Sequence, residues 1–166
     1  VMFVAILKAY TVSDLNMTNN LVKYYLGDDQ FVANVTPGAE VIFEVNGVSY
    51  SVKANDTGFA MLEINLRPGN YSITTTCGNV SIVNYIIVKS TIVSSDVIRG
   101  YNSDYNYKLQ VLDSTGKGLN NTKVTVSING NSKVFVTDKS GYITIPFKKL
   151  TESQKIIVTN PVNSEV

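Results

Sequence analysis

The sequence contains no histidine and no tryptophan, and its only cysteine is Cys77. The absence of histidine removes the usual general base and the commonest metal ligand in one stroke. A Ser–His or Cys–His nucleophile pair cannot be assembled, and no G-x-S-x-G elbow is present. One cysteine cannot close an intrachain disulfide, so Cys77 is expected to pack as a small buried hydrophobe. Charge is also scarce. Charged residues make up 16% of the chain and the net charge is +1, so no strong field draws in nucleic acid or an anionic membrane. No run approaches the roughly 18 apolar residues that span a bilayer. The apolar start, Val1–Leu7, has neither a basic region before it nor a small-residue cleavage site after it, and so reads poorly as a signal peptide.

What is present is alternation, and it occurs twice. Val41-Ile42-Phe43-Glu44-Val45-Asn46-Gly47 returns as Val124-Thr125-Val126-Ser127-Ile128-Asn129-Gly130, and Asn55-Asp56-Thr57-Gly58-Phe59 returns as Asp138-Lys139-Ser140-Gly141-Tyr142, both at an offset of 83 residues. Phe31, Ala33 and Val35 correspond to Tyr107, Leu109 and Val111 at an offset of 76. The difference is a seven-residue insertion in the Gly-bearing turn Asp113–Gly118, which the first copy shortens to Thr36-Pro37-Gly38. Asn-Gly between alternating apolar runs is a strong hairpin signal. Short strands at regular spacing, with turn residues between them, predict an all-β fold of two tandem Ig-like antiparallel β-sandwich domains. The expected domains are residues 10–92 and 93–166, preceded by an extra N-terminal strand at residues 1–9. Val93–Val97 is the expected junction, short and stiff.

The ends of the two copies are displaced by one strand. The first copy closes on Val80–Val88, after Thr76. The second ends shortly after Gln154–Thr159, which matches Tyr71–Thr76, and has no counterpart of Val80–Val88. Phe3–Lys8 resembles Tyr85–Lys89 and precedes the first copy. A sandwich without its edge strand exposes apolar floor and unpaired backbone. Donor-strand exchange answers both problems: Met2, Phe3, Val4, Ala5, Ile6 and Leu7 of one copy would complete the edge Lys155, Ile156, Ile157, Val158 and Thr159 of the next. Head-to-tail repetition of that contact makes a homopolymeric fibre. The alternatives are a segment of a longer repeat protein, completed by neighbouring repeats, and a strand folded back within one chain.

The ordered turns D-S-T-G-K-G-L, N-G, D-K-S-G-Y or N-D-T-G-F, and R-P-G-N-Y resemble those of the Ig-like repeats of adhesin-like proteins from methanogenic archaea. Big-type bacterial surface repeats are similar. The resemblance covers most of residues 20–160 and implies an extracellular, cell-surface structural or adhesive protein that contacts other cells, glycans or proteins. It transfers no binding residue.

Secondary site expectations are modest. Asn16, Asn34, Asn55, Asn70, Asn79 and Asn120 are N-glycosylation sequons. Asp28, Asp29, Asn55 and Asp56 offer oxygen ligands of the kind Ca²⁺ takes, although Asn and Asp at turns are ordinary turn chemistry. Lys108 and Asn160 form the single pairing for an internal Lys–Asn cross-link, weakened by the outward phase of Lys108. Tyr24, Tyr25, Tyr101, Tyr105 and Tyr107 form the densest aromatic groups, suited to a ligand surface or to strand framework. No catalytic residue, metal site or cofactor is expected.

Overall fold

The computed structural model describes residues 18–166, and they form an all-β chain of thirteen strands. The expected N-terminal strand, the donor residues Met2–Leu7 and the sequon Asn16 lie outside the described residues. Cα proximity groups the chain into two compact units. One holds Asp29–Ile64 and Asn70–Ile87; the other holds Val88–Val166 together with Val22–Asp28 and Asn65–Gly69.

The first copy contributes β1 (Leu21–Tyr24), β2 (Gln30–Asn34), β3 (Glu40–Val45), β4 (Val48–Lys53), β5 (Phe59–Glu63), β6 (Gly69–Cys77) and β7 (Val80–Lys89). These form a five-stranded sheet in the order β1-β7-β6-β3-β4 and a two-stranded sheet β2-β5. Period-two burial follows from the pleat, which sends successive side chains to opposite faces. Val41, Phe43 and Val45 of β3 are buried while Ile42 and Glu44 are exposed. Phe31 of β2 meets Phe43 edge to face, with ring centroids 5.8 Å apart.

The second copy contributes β8 (Ile92–Val93), β9 (Ser103–Val111), β10 (Lys123–Ile128), β11 (Asn131–Val136), β12 (Tyr142–Leu150) and β13 (Ile156–Thr159). Its sheets are β11-β10-β13 and β12-β9-β8. Leu109 and Val111 from β9, Ile143 and Ile145 from β12, Val124 and Val126 from β10, and Val158 from β13 share one buried core. Burying each such side chain contributes about 1.5–3 kcal/mol. Ile92 and Val93 straddle the expected boundary and pair with Val111 and Gln110. They therefore extend the second copy's sheet.

The repeat in sequence is a repeat in register. Phe43 stands opposite Tyr50 on β4 and Thr75 on β6; its counterpart Val126 stands opposite Lys133 on β11 and Val158 on β13. Each hairpin turns on Asn-Gly with both residues at positive φ: Asn46 (51°) and Gly47 (75°), then Asn129 (49°) and Gly130 (85°). This turn conformation matches the right-handed twist of the flanking strands.

The second shared turn is closed by a side chain. Asn55 Oδ1 accepts the N–H groups of Thr57 at 3.0 Å and Phe59 at 2.9 Å. Asp138 Oδ1 accepts those of Ser140 at 2.8 Å and Tyr142 at 2.9 Å. Gly58 and Gly141 follow, both at φ +85°, and a Cβ on either would lie 2.4 Å from the carbonyl oxygen of Val35 or Val111. Gly141→Ala is therefore expected to cost about 3 kcal/mol or more, through left-handed strain plus a backbone clash, against about 1–2 kcal/mol for Gly130→Ala, where strain acts alone. No atom lies within 4 Å of a Cβ at Gly130. Urea denaturation of both variants checks the order, and equal losses would refute it.

The Asp138 carboxyl is held below the ordinary carboxylate range, first by the Tyr142 N–H and then by that of Ser140. A folded-state pKa below the unfolded one gives stabilisation that is complete above the unfolded value and lost as pH falls through the folded value. Asn55 makes the same turn without a titrating group. Asp138→Asn should keep the turn and flatten the acid limb of a stability–pH curve measured by denaturation. An unchanged acid limb would count against this.

Candidate functional site

In the first copy β6 has neighbours on both sides, β3 and β7. Its counterpart β13 pairs with β10 alone, with Thr125↔Thr159, Val126↔Val158, Ser127↔Ile157 and Ile128↔Ile156, and stands at the edge of its sheet among the described residues. Antiparallel pairing alternates which residues point their backbone groups toward the partner. The Asn129 N–H donates to the Lys155 carbonyl at 2.9 Å, and the Lys155 N–H donates to Asn129 Oδ1 at 2.8 Å. Lys155, Ile157 and Thr159 are thus the residues bonded toward β10, and Ile156 and Val158 aim their N–H and C=O groups at the outer edge. Of the five expected acceptor residues, Ile156 and Val158 also turn their side chains inward: Val158 is buried and Ile156 half-buried, while Lys155, Ile157 and Thr159 are exposed.

Beside this edge lies a cavity of about 610 Å³. Its floor is Tyr105 and Tyr107 of β9, Phe147 of β12 and Ile156 of β13; one wall is Ser94–Arg99, and Leu150–Gln154 closes one end. The Tyr107 hydroxyl donates to the Ser95 carbonyl at 2.9 Å, and the Arg99 guanidinium stacks on Tyr105 at 4.1 Å from the ring centroid. The tyrosines Tyr101, Tyr105 and Tyr107 therefore converge on one cavity, whereas Tyr24 lies on β1 and Tyr25 immediately after it.

Past the other end of β13 the chain reverses. The Asn160 N–H donates to the Glu165 carbonyl at 2.8 Å and the Ser164 N–H to the Asn160 carbonyl at 2.9 Å. Asn160 continues the alternation of Ile156 and Val158, so Glu165 takes the next outward-facing donor of that edge. The turn is pinned by a buried polar cluster that sequence reasoning missed. The Glu165 carboxylate accepts the Thr91 N–H at 2.7 Å and the hydroxyls of Thr91 and Ser90 at 2.5 Å each. The Thr91 hydroxyl in turn accepts the side-chain amides of Asn160 at 2.8 Å and Asn163 at 2.9 Å, and the Asn160 amide also donates to the Leu112 carbonyl at 2.8 Å. Thr91 and Asn160 are both fully buried. A Thr, two Asn and a Glu separated by some 70 residues carry no local signal, so only the fold assembles them.

Other expected positions are scattered. Lys108 is exposed on β9 while Asn160 is spent on Thr91 and Leu112, so the structure does not bring them together as a cross-linking pair. The sequon residues Asn55, Asn70, Asn79 and Asn120 are exposed and Asn34 is half-buried on β2. Cys77 is half-buried at the end of β6. Among the described residues no group of three or more Cys, Asp or Glu side chains is arranged to hold a metal.

No family model matches the sequence, and no curated protein matches it. Comparison with solved structures finds similarity of low TM-score to several proteins. The fibronectin(III)-like modules of Clostridium thermocellum CbhA are 15% identical, with a TM-score of 0.34 over 90% of this chain and 85% of theirs. A Ca²⁺-stabilized adhesin that helps an Antarctic bacterium reach out and bind ice is 12% identical, with a TM-score of 0.32 over 80% of this chain and 41% of its own. The Bacteroides ovatus SGBP-B of a mixed-linkage glucan utilization locus, solved with a mixed-linkage heptasaccharide, is 10% identical, with a TM-score of 0.35 over 93% of this chain and 63% of its own. This chain thus spans less than two thirds of the latter two.

The polar cluster makes a direct prediction. Removing the carboxylate in Glu165→Ala leaves two hydroxyls and the Thr91 N–H without their acceptor, at an expected cost of about 2–4 kcal/mol. Urea denaturation measures it, and a loss within about 0.5 kcal/mol would show that the cluster does not hold the turn.

Proposed function

We propose that the chain is a non-enzymatic, extracellular, cell-surface protein with a structural and adhesive role. On this reading it consists of two tandem Ig-like β-sandwich domains, residues 10–92 and 93–166, and the second is completed by a strand supplied to its open edge. The observation that carries the proposal is the pairing of unshared backbone groups on Ile156 and Val158 with an adjoining 610 Å³ cavity floored by Tyr105, Tyr107 and Phe147. A free sheet edge above apolar floor is the arrangement that β-strand addition requires: the edge supplies main-chain hydrogen bonds and the cavity accepts alternate side chains. The first copy supplies the internal precedent, because β7 fills that place and buries Ile86 and Val88 against the core while Ile87 and Lys89 face out.

The occupant we assign is Met2–Leu7 of a second copy. The segment is apolar and ends at Lys8, as β7 ends at Lys89. With the two lysines aligned, Phe3, Ala5 and Leu7 face the cavity. One copy donating to the next through two different surfaces builds an open, head-to-tail fibre.

A second reading is favoured by the turn at Asn160–Glu165, which reverses the chain and brings Glu165 opposite Asn160 at the outer edge. In a longer polypeptide the residues following that turn would close the edge as β7 closes its own, and the segment would be one stretch of a monomeric adhesin stalk. Its grip on glycans or neighbouring cells would then lie elsewhere on the surface.

Deleting residues 1–8 separates the two. Donor exchange predicts filaments of the intact chain by electron microscopy and monomers of the shortened chain by size-exclusion chromatography. Filaments that survive the deletion, or an intact chain that stays monomeric, would exclude donor exchange.

A further inference from the structure

The slot beside β13 has a second wall, and the first copy shows what that wall becomes. At the offset of 76 that relates β2 to β9, Leu21-Val22-Lys23-Tyr24-Tyr25 corresponds to Val97-Ile98-Arg99-Gly100-Tyr101. Both read apolar, apolar, cation, any residue, tyrosine. In the first copy Leu21–Tyr24 is β1, an edge strand hydrogen-bonded to β7, and the Tyr25 N–H continues the pairing to the Lys89 carbonyl at 2.9 Å. Its lysine, Lys23, is 2% exposed. In the second copy residues 94–100 have no strand structure, although residues 94–99 line the cavity. Ile98 is 96% and Tyr101 82% exposed, and Arg99 is exposed with its guanidinium lying over Tyr105.

Among the described residues the same sequence pattern is thus a paired strand beside β7, and a segment outside the sheets where β13 stands at an edge. We infer that Val97–Tyr101 is the other half of the strand-binding site. A strand entering the slot bonds to Ile156 and Val158 on one side, and Val97–Gly100 folds onto its other side as the counterpart of β1. The site is a clamp with two edges rather than a single exposed edge. The inference rests on the reading of the slot as a strand acceptor, and its occupant is the one assigned above, Met2–Leu7 of a second copy.

Side-chain chemistry agrees with this. The Tyr25 N–H faces β7, and alternation along the strand puts the Lys23 N–H on the same side. The corresponding donors are those of Arg99 and Tyr101. Burial of Arg99 in the position of Lys23 requires its guanidinium to move off the Tyr105 ring, which frees that ring to pack against the incoming strand. Ile98, nearly fully exposed with the slot open, would take the place of the half-exposed Val22. Ordering this segment opposes binding, since fixing each residue's backbone costs about 1–2 kcal/mol. The second row of hydrogen bonds and the apolar cover offset that cost.

The test is amide hydrogen exchange on the chain lacking residues 1–8, with and without an excess of a synthetic peptide of sequence Val1–Lys8. A two-edged clamp predicts that the peptide slows exchange at least about tenfold both at Ile156 and Val158 and at Arg99 and Tyr101. Protection at Ile156 and Val158 with residues 97–101 exchanging as before would overturn the second wall and leave the acceptor reading standing. Protection at neither would overturn both. Arg99→Pro supplies an independent measure. It deletes a slot-facing N–H in a segment outside the sheets, so the fold should survive, as the circular dichroism spectrum can verify, while peptide affinity falls about tenfold. Unaltered affinity in Arg99→Pro would also count against the clamp.

Discussion

The backbone of β13 imposes the constraint on which the second half of the molecule turns. Each residue of a strand carries one donor and one acceptor, and a strand beside a hydrophobic core needs partners on both sides or water on one. β13 satisfies one side through β10. Its other side carries the N–H and C=O groups of Ile156 and Val158, next to side chains that belong to the core. Water can satisfy the backbone but not the apolar floor formed by Tyr105, Tyr107 and Phe147. A strand satisfies both at once. No single bound side chain or small polar ligand does so, which is why the edge and the cavity are best read as one site.

The turns locate that site. β13 is placed by the register of β10, which is fixed at one end by the Asn129-Gly130 hairpin and at the other by pairing of Thr125 with Thr159. Asn129 does two jobs: its backbone makes the hairpin, and its side chain bonds Lys155 and Gln154. The first residues of β13 are therefore held against β10 before any outer partner arrives. The Asp138 turn and the close approach of Gly141 to Val111 fix β12 on β9 in the same manner, which sets Phe147 and Tyr107 at the cavity floor. The edge of β13 is thus fixed in register where it meets the core. The cavity wall at residues 94–99 has no strand structure and is exposed throughout.

The all-β fold was legible because alternation and turn chemistry are local. Val41, Phe43 and Val45 declare a half-buried strand from five residues, and Asn46-Gly47 declares its reversal. The edge position of β13 among the described residues matches the expectation drawn from comparing the copies, because a strand-length apolar run such as β7 is easy to see in a sequence. Two features were not. β1 is four residues long and mixes Lys23 with two apolar positions, so its strand character comes from β7 beside it and not from its own pattern. The Glu165–Thr91–Asn160 cluster joins residues about 70 positions apart, where periodicity carries no information. Both depend on tertiary context, which overrides weak local preference.

The two poles of β13 answer different needs. At the far end of β6, Cys77 leads through Gly78 and Asn79 directly into β7, a short reversal with Gly78 at φ 57°. At the matching position Asn160 begins a longer turn, and a longer turn is entropically dearer to close and less certain in direction. The buried carboxylate of Glu165 compensates: five hydrogen bonds around Thr91 tie the turn to the segment that enters the second copy's sheets. Such a cluster favours one geometry, because any shift of the turn leaves buried polar groups unmatched. It therefore holds Glu165 beside Asn160, at the end of the outer edge of β13. At the opposite end lies the cavity, walled by Ser94–Arg99. On the proposed reading, a strand in the slot presents its apolar side chains over Phe147 and the tyrosines, and only one that continues from that turn is obliged to run antiparallel to β13.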